Sequence, residues 1–440
     1  MGLNPLRALW NRLNRSLNPA SIDVPFHLHD IGPREVRAVT RVLRSAWINT
    51  GPETRAFEQE LKAFVFPADA PNASVVCLSS ATAGLFLALK AAGIGPGDEV
   101  VVPVCTYTAS AAAVVHAGAT PIPADVDGWS LLGPAQLAPC LSPRTRAVIG
   151  VDLGGLPCDV VALKACLEAH RGLFLGGSPT GLCARLGRPL LLVDAAHSIG
   201  ARMGRPLRAA ASFPDFAVFS FHAVKNVSTA DGGAICMNLP DGETAPFEKA
   251  LRLWSLHGQS RTALEKMAPG AWKYDIAVPG YKFNLTDIEA ALGRVQLARF
   301  PEIEAAKQTI AQRYDRALAE VPRLSIRPRM LEADTGPACV GARLASHHLY
   351  MVNVAGWSPE DRDRAIAAAA AEGVALNVHY LPLPMHTAWK ERGWQMDAFP
   401  MAKALSENEV SLPLYSRMTG SQVDRVIEVF SGLVKSPSAH

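Results

Sequence analysis

Residues 220–234 read SFHAVKNVSTADGGA. They continue the apolar run FAVFSF (216–221) and lead into a second one, GGAICM (232–237). Two short apolar runs joined by a small polar turn read as a pair of buried strands. Lys225 stands in that turn. A buried, unpaired ammonium is costly, so such a lysine loses its proton, finds a partner or becomes covalently modified. A desolvated lysine amine is also a nucleophile that forms imines with carbonyl compounds. Alone, Lys225 would be an ordinary surface lysine on a turn. Ser220 and His222 just upstream, and NVSTADGG (226–233) just downstream, turn the reading toward a site.

The pattern around this stretch repeats. SVVCLSS (74–80) leads into ATAGLFLALKAAG, and DEVVVPVCTYT (98–108) leads into ASAAAVVHAG. RAVIGVDLGG (146–155) precedes DVVALKACLEAH, and PLLLVDAAHS (189–198) is a further apolar run of this kind. Continuous Val, Leu and Ile runs alternating with helical patterns predict an α/β fold, a mostly parallel central sheet with helices on both faces. In such sheets ligands gather at the carboxyl ends of the strands. That rule selects residues 79–83, 105–108, 152–155, 194–197 and 220–225. A long charged helix is expected from about Asp287 to Glu320. HHLYMVNV, SPEDRDRAIAAAAAEG and VALNVHYLPLP (347–384) then predict a smaller α+β carboxyl-terminal domain. The domains are expected at 23–260 and 261–440, after a basic amino-terminal extension at 1–22; the Gly-rich stretch 170–189 reads as a surface loop.

The 440 residues are 49% hydrophobic and 19% charged, a compact globular composition long enough for two or three domains. A formal net charge of +3 offers no case for nucleic acid as partner. The eight cysteines are scattered, with no C-x-x-C pair, and most lie in apolar runs; they read as buried free thiols in a reducing cytoplasm. No metal site is expected. Residues 1–20 carry Arg7, Arg12 and Arg15, no acid, and leucines at near-helical spacing. That is the pattern of a short amphipathic helix, packed on the protein's own body or resting on a membrane surface.

Other residues at the selected strand ends carry chemistry. Asp194 directly follows LLLV, and a carboxylate there needs a cation or strong donors; capping the next helix is the plainer role. His197 stands three residues on. Ser80 and Thr82, with the amides of residues 81–83, would make a helix-terminus anion site suited to phosphate. Tyr107 could stack on a flat ligand or sit half-buried in the core. An imine-forming lysine, a carboxylate for a ring nitrogen, an aromatic cover and a phosphate turn together make a site for pyridoxal 5'-phosphate.

At this point the chain resembles the pyridoxal-phosphate-dependent sugar-nucleotide aminotransferases, the DegT/DnrJ/StrS group, from about residue 26 to residue 430. AWINTGPETRAFEQEL resembles the opening segment of the family, LSSATAGLFLAL its phosphate turn, and VDAAHSIGA its D-A-A-H/Q motif. FSFHAVKNVSTADGGA matches its lysine segment, the most specific of all. GYKFNLTDIEAALGRVQL, HYLPLPMH and SLPLYSRMT resemble later signatures. The resemblance implies the aspartate aminotransferase-like fold, with Lys225 as the Schiff-base lysine and Asp194 as the partner of the pyridine nitrogen. It puts His197 near the ring and Tyr107 in the stacking place. Thr82, Ala83 and Ser220 would hold the phosphate, and Asn284 would reach it from the neighbouring subunit of a homodimer.

The implied reaction moves an amino group, from glutamate by resemblance, to a keto group on a nucleotide-linked sugar. Two alternatives stay open: a same-fold aminotransferase acting on a cyclitol or other small ketone, and a non-catalytic regulatory relative. Asp152, where the family often has histidine, and Gly154, where a bulkier residue is usual, put the substrate in question more than the cofactor. Some relatives carry histidine for the lysine and are dehydratases; the presence of Lys225 disfavours that branch.

Overall fold

The computed structural model describes residues 22–175, 181–261, 273–332 and 342–435. The amphipathic pattern at 1–20 lies outside them. Seven strands form the large sheet: β1 (Ala73–Leu78), β2 (Glu99–Pro103), β3 (Thr120–Ala124), β4 (Thr145–Val151), β5 (Leu190–Asp194), β6 (Phe216–Ser220) and β7 (Gly233–Asn238). Their order is β1-β7-β6-β5-β4-β2-β3. Only β7 runs against the others, paired antiparallel with both β1 and β6. The mostly parallel sheet expected from the uninterrupted aliphatic runs is what forms.

Along each strand alternate side chains enter different cores. Leu190 and Leu192 of β5 join one, with Ile149 and Val218, while Leu191 and Val193 join the other, with Val148 and Ala217. Helices cover both faces, which is why these strands lack the polar alternation of a half-solvated sheet. Helix α1 (Ala81–Ala91) starts at the carboxyl end of β1 with Ser80 as its cap. Helix α2 (Ala109–Ala117) starts beyond the end of β2.

The long charged pattern forms helix α3 (Asp287–Leu318), begun by a reciprocal cap between Thr286 and Glu289. Its first half packs Ala290, Leu297 and Phe300 beneath the large sheet. Its second half turns Ile310, Ala311, Tyr314 and Leu318 into a separate core. That core also holds a three-stranded antiparallel sheet, β8 (Leu324–Ile326), β9 (Tyr350–Val354) and β10 (Glu409–Leu412), in the order β8-β9-β10. Helices Pro359–Ala371 and Gly420–Lys435 complete it.

The stretch 170–189 departs from the surface-loop expectation. Arg171–Leu175 and Gly181–Leu186 are helical, and Phe174, Leu182 and Cys183 are buried in the core beside Ala92. Their apolar surface outweighs the glycines around them; residues 176–180 lie outside those described. No described helix is long and apolar enough to cross a membrane.

Candidate active site

Because β1, β2, β4, β5 and β6 are parallel, the segments selected from the sequence open on one edge of the sheet. The antiparallel β7 starts there, with Gly233 set between Leu78 and Ser220. A Cβ on Gly233 would come within 2.5 Å of the Ala81 amide nitrogen. Only glycine lets the return strand approach the start of α1 so closely. Ser220, Ser80 and the first amides of α1 are thereby gathered in one place.

The first amides of a helix have no intrahelical carbonyl to bond, and they attract anions. Ala83 differs from its neighbours, because its N–H donates to Ser80 Oγ at 3.1 Å. Thr82 is exposed, and Ser220 is half-buried, its hydroxyl accepting from the His222 amide at 3.3 Å. Asn284 forms an isolated bridge with Leu78 of its own chain. Its side-chain amide donates to Asn49 Oδ1 at 2.9 Å and to Thr50 Oγ1 at 2.6 Å.

Lys225 is half-buried in the turn after β6, its amide bonded to His222 O at 2.9 Å. Burial lowers its amine from 10.5 to about 8, partly opposed by the charge of Asp194. Asp194 is buried at the end of β5, where its Oδ2 accepts from Ser110 Oγ at 2.7 Å and its Oδ1 from the Ala196 amide at 3.2 Å. Burial raises its carboxyl; the Ser110 hydroxyl, the Ala196 amide and Lys225 act in the opposite sense.

His197 is buried and held on both ring nitrogens. The Gly154 amide donates to Nδ1 at 3.2 Å, and Nε2 lies 3.1 Å from the Tyr380 hydroxyl. Burial, reinforced by the Lys225 charge, depresses this imidazole well below its ordinary value. A neutral ring that accepts at Nδ1 carries its hydrogen on Nε2. Gly154 has φ +67°, and a Cβ there would meet Met351 Sδ at 2.8 Å. The two departures noted in the sequence thus belong to one arrangement. Gly154 presents its amide to His197, while buried Asp152 accepts from Ser198 Oγ at 2.6 Å and from the Cys158 amide at 2.9 Å.

Tyr107 is 60% exposed, with its ring 5.8 Å from that of Tyr380. An exposed ring at a strand end leaves a face available to a flat ligand. Lys225, Asp194, His197 and Tyr107 converge, and Thr82, Ala83 and Ser220 flank them on the β1–β6 side. Several partners escape sequence reasoning. Ser110 sits in an alanine-rich helix, and Tyr380 lies in HYLPLP, quoted above without a role. His348 packs its ring 4.3 Å from that of His197. The buried amine of Lys307 donates to Asn226 Oδ1 at 2.7 Å, beside Lys225 in sequence. Only the pair His347–His348 offered a visible signal. Among the described residues no group of histidine, cysteine and acidic side chains gathers that could hold a metal ion.

Pyridoxal phosphate fits these residues. A buried carboxylate, an amine of lowered proton affinity, an open helix start and an uncovered aromatic ring face one edge. Comparisons with known proteins agree. The SpsC protein of Bacillus subtilis, named for spore coat polysaccharide biosynthesis, is 36% identical over 420 residues, covering 94% of this chain and 97% of its own. Spr1654 of Streptococcus pneumoniae, a protein assigned as a sugar aminotransferase, has solved pyridoxal-phosphate and pyridoxamine-phosphate forms. The latter is 38% identical, covers 94% of this chain and 99% of its own, and superimposes with a TM-score of 0.86. The aminotransferase TlmJ of Streptoalloteichus hindustanus is 29% identical, with TM-score 0.75, covering 94% of this chain and 99% of its own. Residues 29–431 match the model of the DegT/DnrJ/EryC1/StrS aminotransferase family. The chain belongs to that family and is a pyridoxal-phosphate-dependent aminotransferase.

Proposed function

We propose that the enzyme transfers an amino group from an amino acid, glutamate in the first instance, to a keto group on a nucleotide-linked sugar. The observation that carries the reading is the Lys225 amine, lowered to about 8 and electrostatically coupled to the buried Asp194 carboxylate. The relatives named for polysaccharide biosynthesis and sugar amination support a sugar acceptor.

Pyridoxal phosphate, when bound, supplies an aldehyde that takes up the amino group and a ring that accepts the electrons released at the substrate carbon. Lys225 Nζ would hold that aldehyde, and its free amine would take a proton from the donor carbon and return it, as general base and acid. Asp194 keeps a proton on the ring nitrogen. His197, with its hydrogen on Nε2, orients the ring's polar edge, and Tyr107 covers its face. Thr82, Ala83 and Ser220 hold the phosphate, for which Ala83 exchanges its bond to Ser80. Asn284 serves the phosphate of a second copy in a homodimer, leaving its present partners Asn49 and Thr50. A reducing cytoplasm suits an enzyme with seven described cysteines, all free.

The acceptor is tested by supplying the purified enzyme with glutamate and a panel of nucleotide-linked keto sugars, free keto sugars and cyclitol ketones. Amine formation on the nucleotide-linked class alone is expected. Preference for a free cyclitol ketone would move the enzyme to another substrate class.

A further inference from the structure

The turn that carries Lys225 is held from behind at two points. The Ala223 carbonyl accepts from His27 Nε2 at 3.1 Å. The Asn226 side-chain oxygen accepts twice, from the Lys307 ammonium at 2.7 Å and from His348 Nδ1 at 3.3 Å. An ammonium has only donors, so this contact fixes which way the Asn226 amide faces. His348 is fixed as well. Burial holds its imidazole neutral, well below the ordinary value, and its one ring hydrogen then stands on Nδ1. That ring packs 4.3 Å from the ring of His197, tilted by 39°. Lys225 and Lys307 line one cavity of about 20 Å³, room for about one water.

Lys307 is costly where it stands. It is buried on α3, and Glu304, one turn earlier, acts on it through charge. The Oε1 of Glu304 is taken by His347, whose Nδ1 lies at 2.6 Å and whose amide donates at 3.1 Å. The hydrogen-bond partners of the Lys307 amine are neutral: Asn226 Oδ1, and the His348 carbonyl at 3.4 Å. A buried charge without a close counter-charge destabilises the fold, and a methionine of similar length would avoid that cost. What the ammonium supplies is direction. Asn226 follows Lys225 in the chain, while His348 lies against His197, so one amine reaches both sides of the site.

We propose that Lys307 is a positioning residue for the amino-transfer reaction: its ammonium holds Asn226 and His348 in one arrangement, setting the turn of Lys225 on one side and the ring of His197 on the other. The inference rests on Lys225 carrying the reaction and deepens that reading. Lys307 acts through its two neighbours and takes no part in the proton transfer itself.

The donor half-reaction with glutamate, followed in stopped flow by absorbance of the bound cofactor, tests this. K307M is expected to lower the limiting rate about three- to tenfold, the scale of one hydrogen bond. The half-saturating glutamate concentration should change less than about twofold. K307Q, which keeps a neutral N–H donor, should fall between. N226A removes the shared acceptor and should slow the reaction by a similar factor. Combined with K307M it should be no slower than the slower single variant, because the two groups act as a unit. With a merely structural lysine, loss of rate would follow loss of stability. Here K307M should unfold in denaturant at pH 7 no earlier than the parent, since it deletes an uncompensated buried charge. An unchanged limiting rate, losses that add in the double variant, or a K307M too unstable to purify overturns the positioning role. A parent enzyme whose cofactor does not respond to glutamate counts against the proposed function. A parent that responds, with a K307M that responds as fast, counts against Lys307 alone.

Discussion

Ser110 Oγ donates to Asp194 Oδ2 at 2.7 Å, and Thr106 Oγ1 stands 2.7 Å from the same hydroxyl. All three groups are buried. A chain of hydroxyls thus ends on the carboxylate proposed to hold the cofactor's ring nitrogen, and helix α2 fixes its position. Ser110→Ala removes the donor that most strongly opposes the burial-driven rise of Asp194. Since hydrogen bonds to charged groups contribute about 1.5–3 kcal/mol, kcat/KM should fall about tenfold to a hundredfold. Ser110→Thr should restore much of it. Steady-state kinetics, with absorbance of the bound cofactor, checks this.

The Gly154 amide leaves His197 Nε2 as the donor toward Tyr380. Tyr380→Phe deletes the acceptor but not the Gly154 contact. A loss of about two- to tenfold in kcat is expected, the scale of one neutral hydrogen bond. The bound cofactor should keep its absorption maximum, because His197 stays in place. Saturation kinetics and a spectrum decide it.

Burial pushes Lys307 from 10.5 to about 8. Between those values the unfolded chain binds more protons than the folded one at this position, so stability rises with pH across the window. Below about pH 8 the cost of charging the buried amine is fully present. Lys307→Met should therefore flatten the gain in stability of the cofactor-free protein from about pH 8 to about pH 10. Denaturant melts of parent and variant over that range measure the difference. The methionine also removes the ammonium donor to Asn226 Oδ1, leaving His348 Nδ1 at 3.3 Å beside it, so a slower reaction at Lys225 should accompany the change.

Gly233→Ala places a methyl group 2.5 Å from the Ala81 nitrogen and 2.8 Å from the Phe219 carbonyl. Backbone cannot yield as a flexible side chain can. A loss of about 1–3 kcal/mol is expected from the overpacking, together with weaker retention of cofactor as the start of α1 is displaced. Thermal melts with and without added pyridoxal phosphate would show both effects.

The strand ends were legible because each is an aliphatic run closed by small or polar residues, and parallel topology brings such ends to one edge. Lys225, Asp194 and His197 could be found in this way. Tyr380 could not, and His348 showed only as half of the pair His347–His348. They come from the smaller sheet and its loops, more than a hundred residues from Lys225 in sequence, and no local period marks them. Ser110 was hidden for another reason, since a lone serine among alanines reads as helix filler until the carboxylate opposite it is seen. The stretch 170–189 misled through composition: its glycines suggest a loop, while Phe174, Leu182 and Cys183 supply enough apolar surface to anchor it.

Everything proposed for the site depends on a covalent bond between Lys225 and the aldehyde of its cofactor. Borohydride reduction of the purified enzyme, followed by peptide mapping, tests that bond directly. The reduced, permanently labelled residue should be Lys225 within residues 220–234, and Lys225→Ala should neither take the label nor turn over. Label on another lysine, or a colourless protein that takes up no pyridoxal phosphate, would contradict the account.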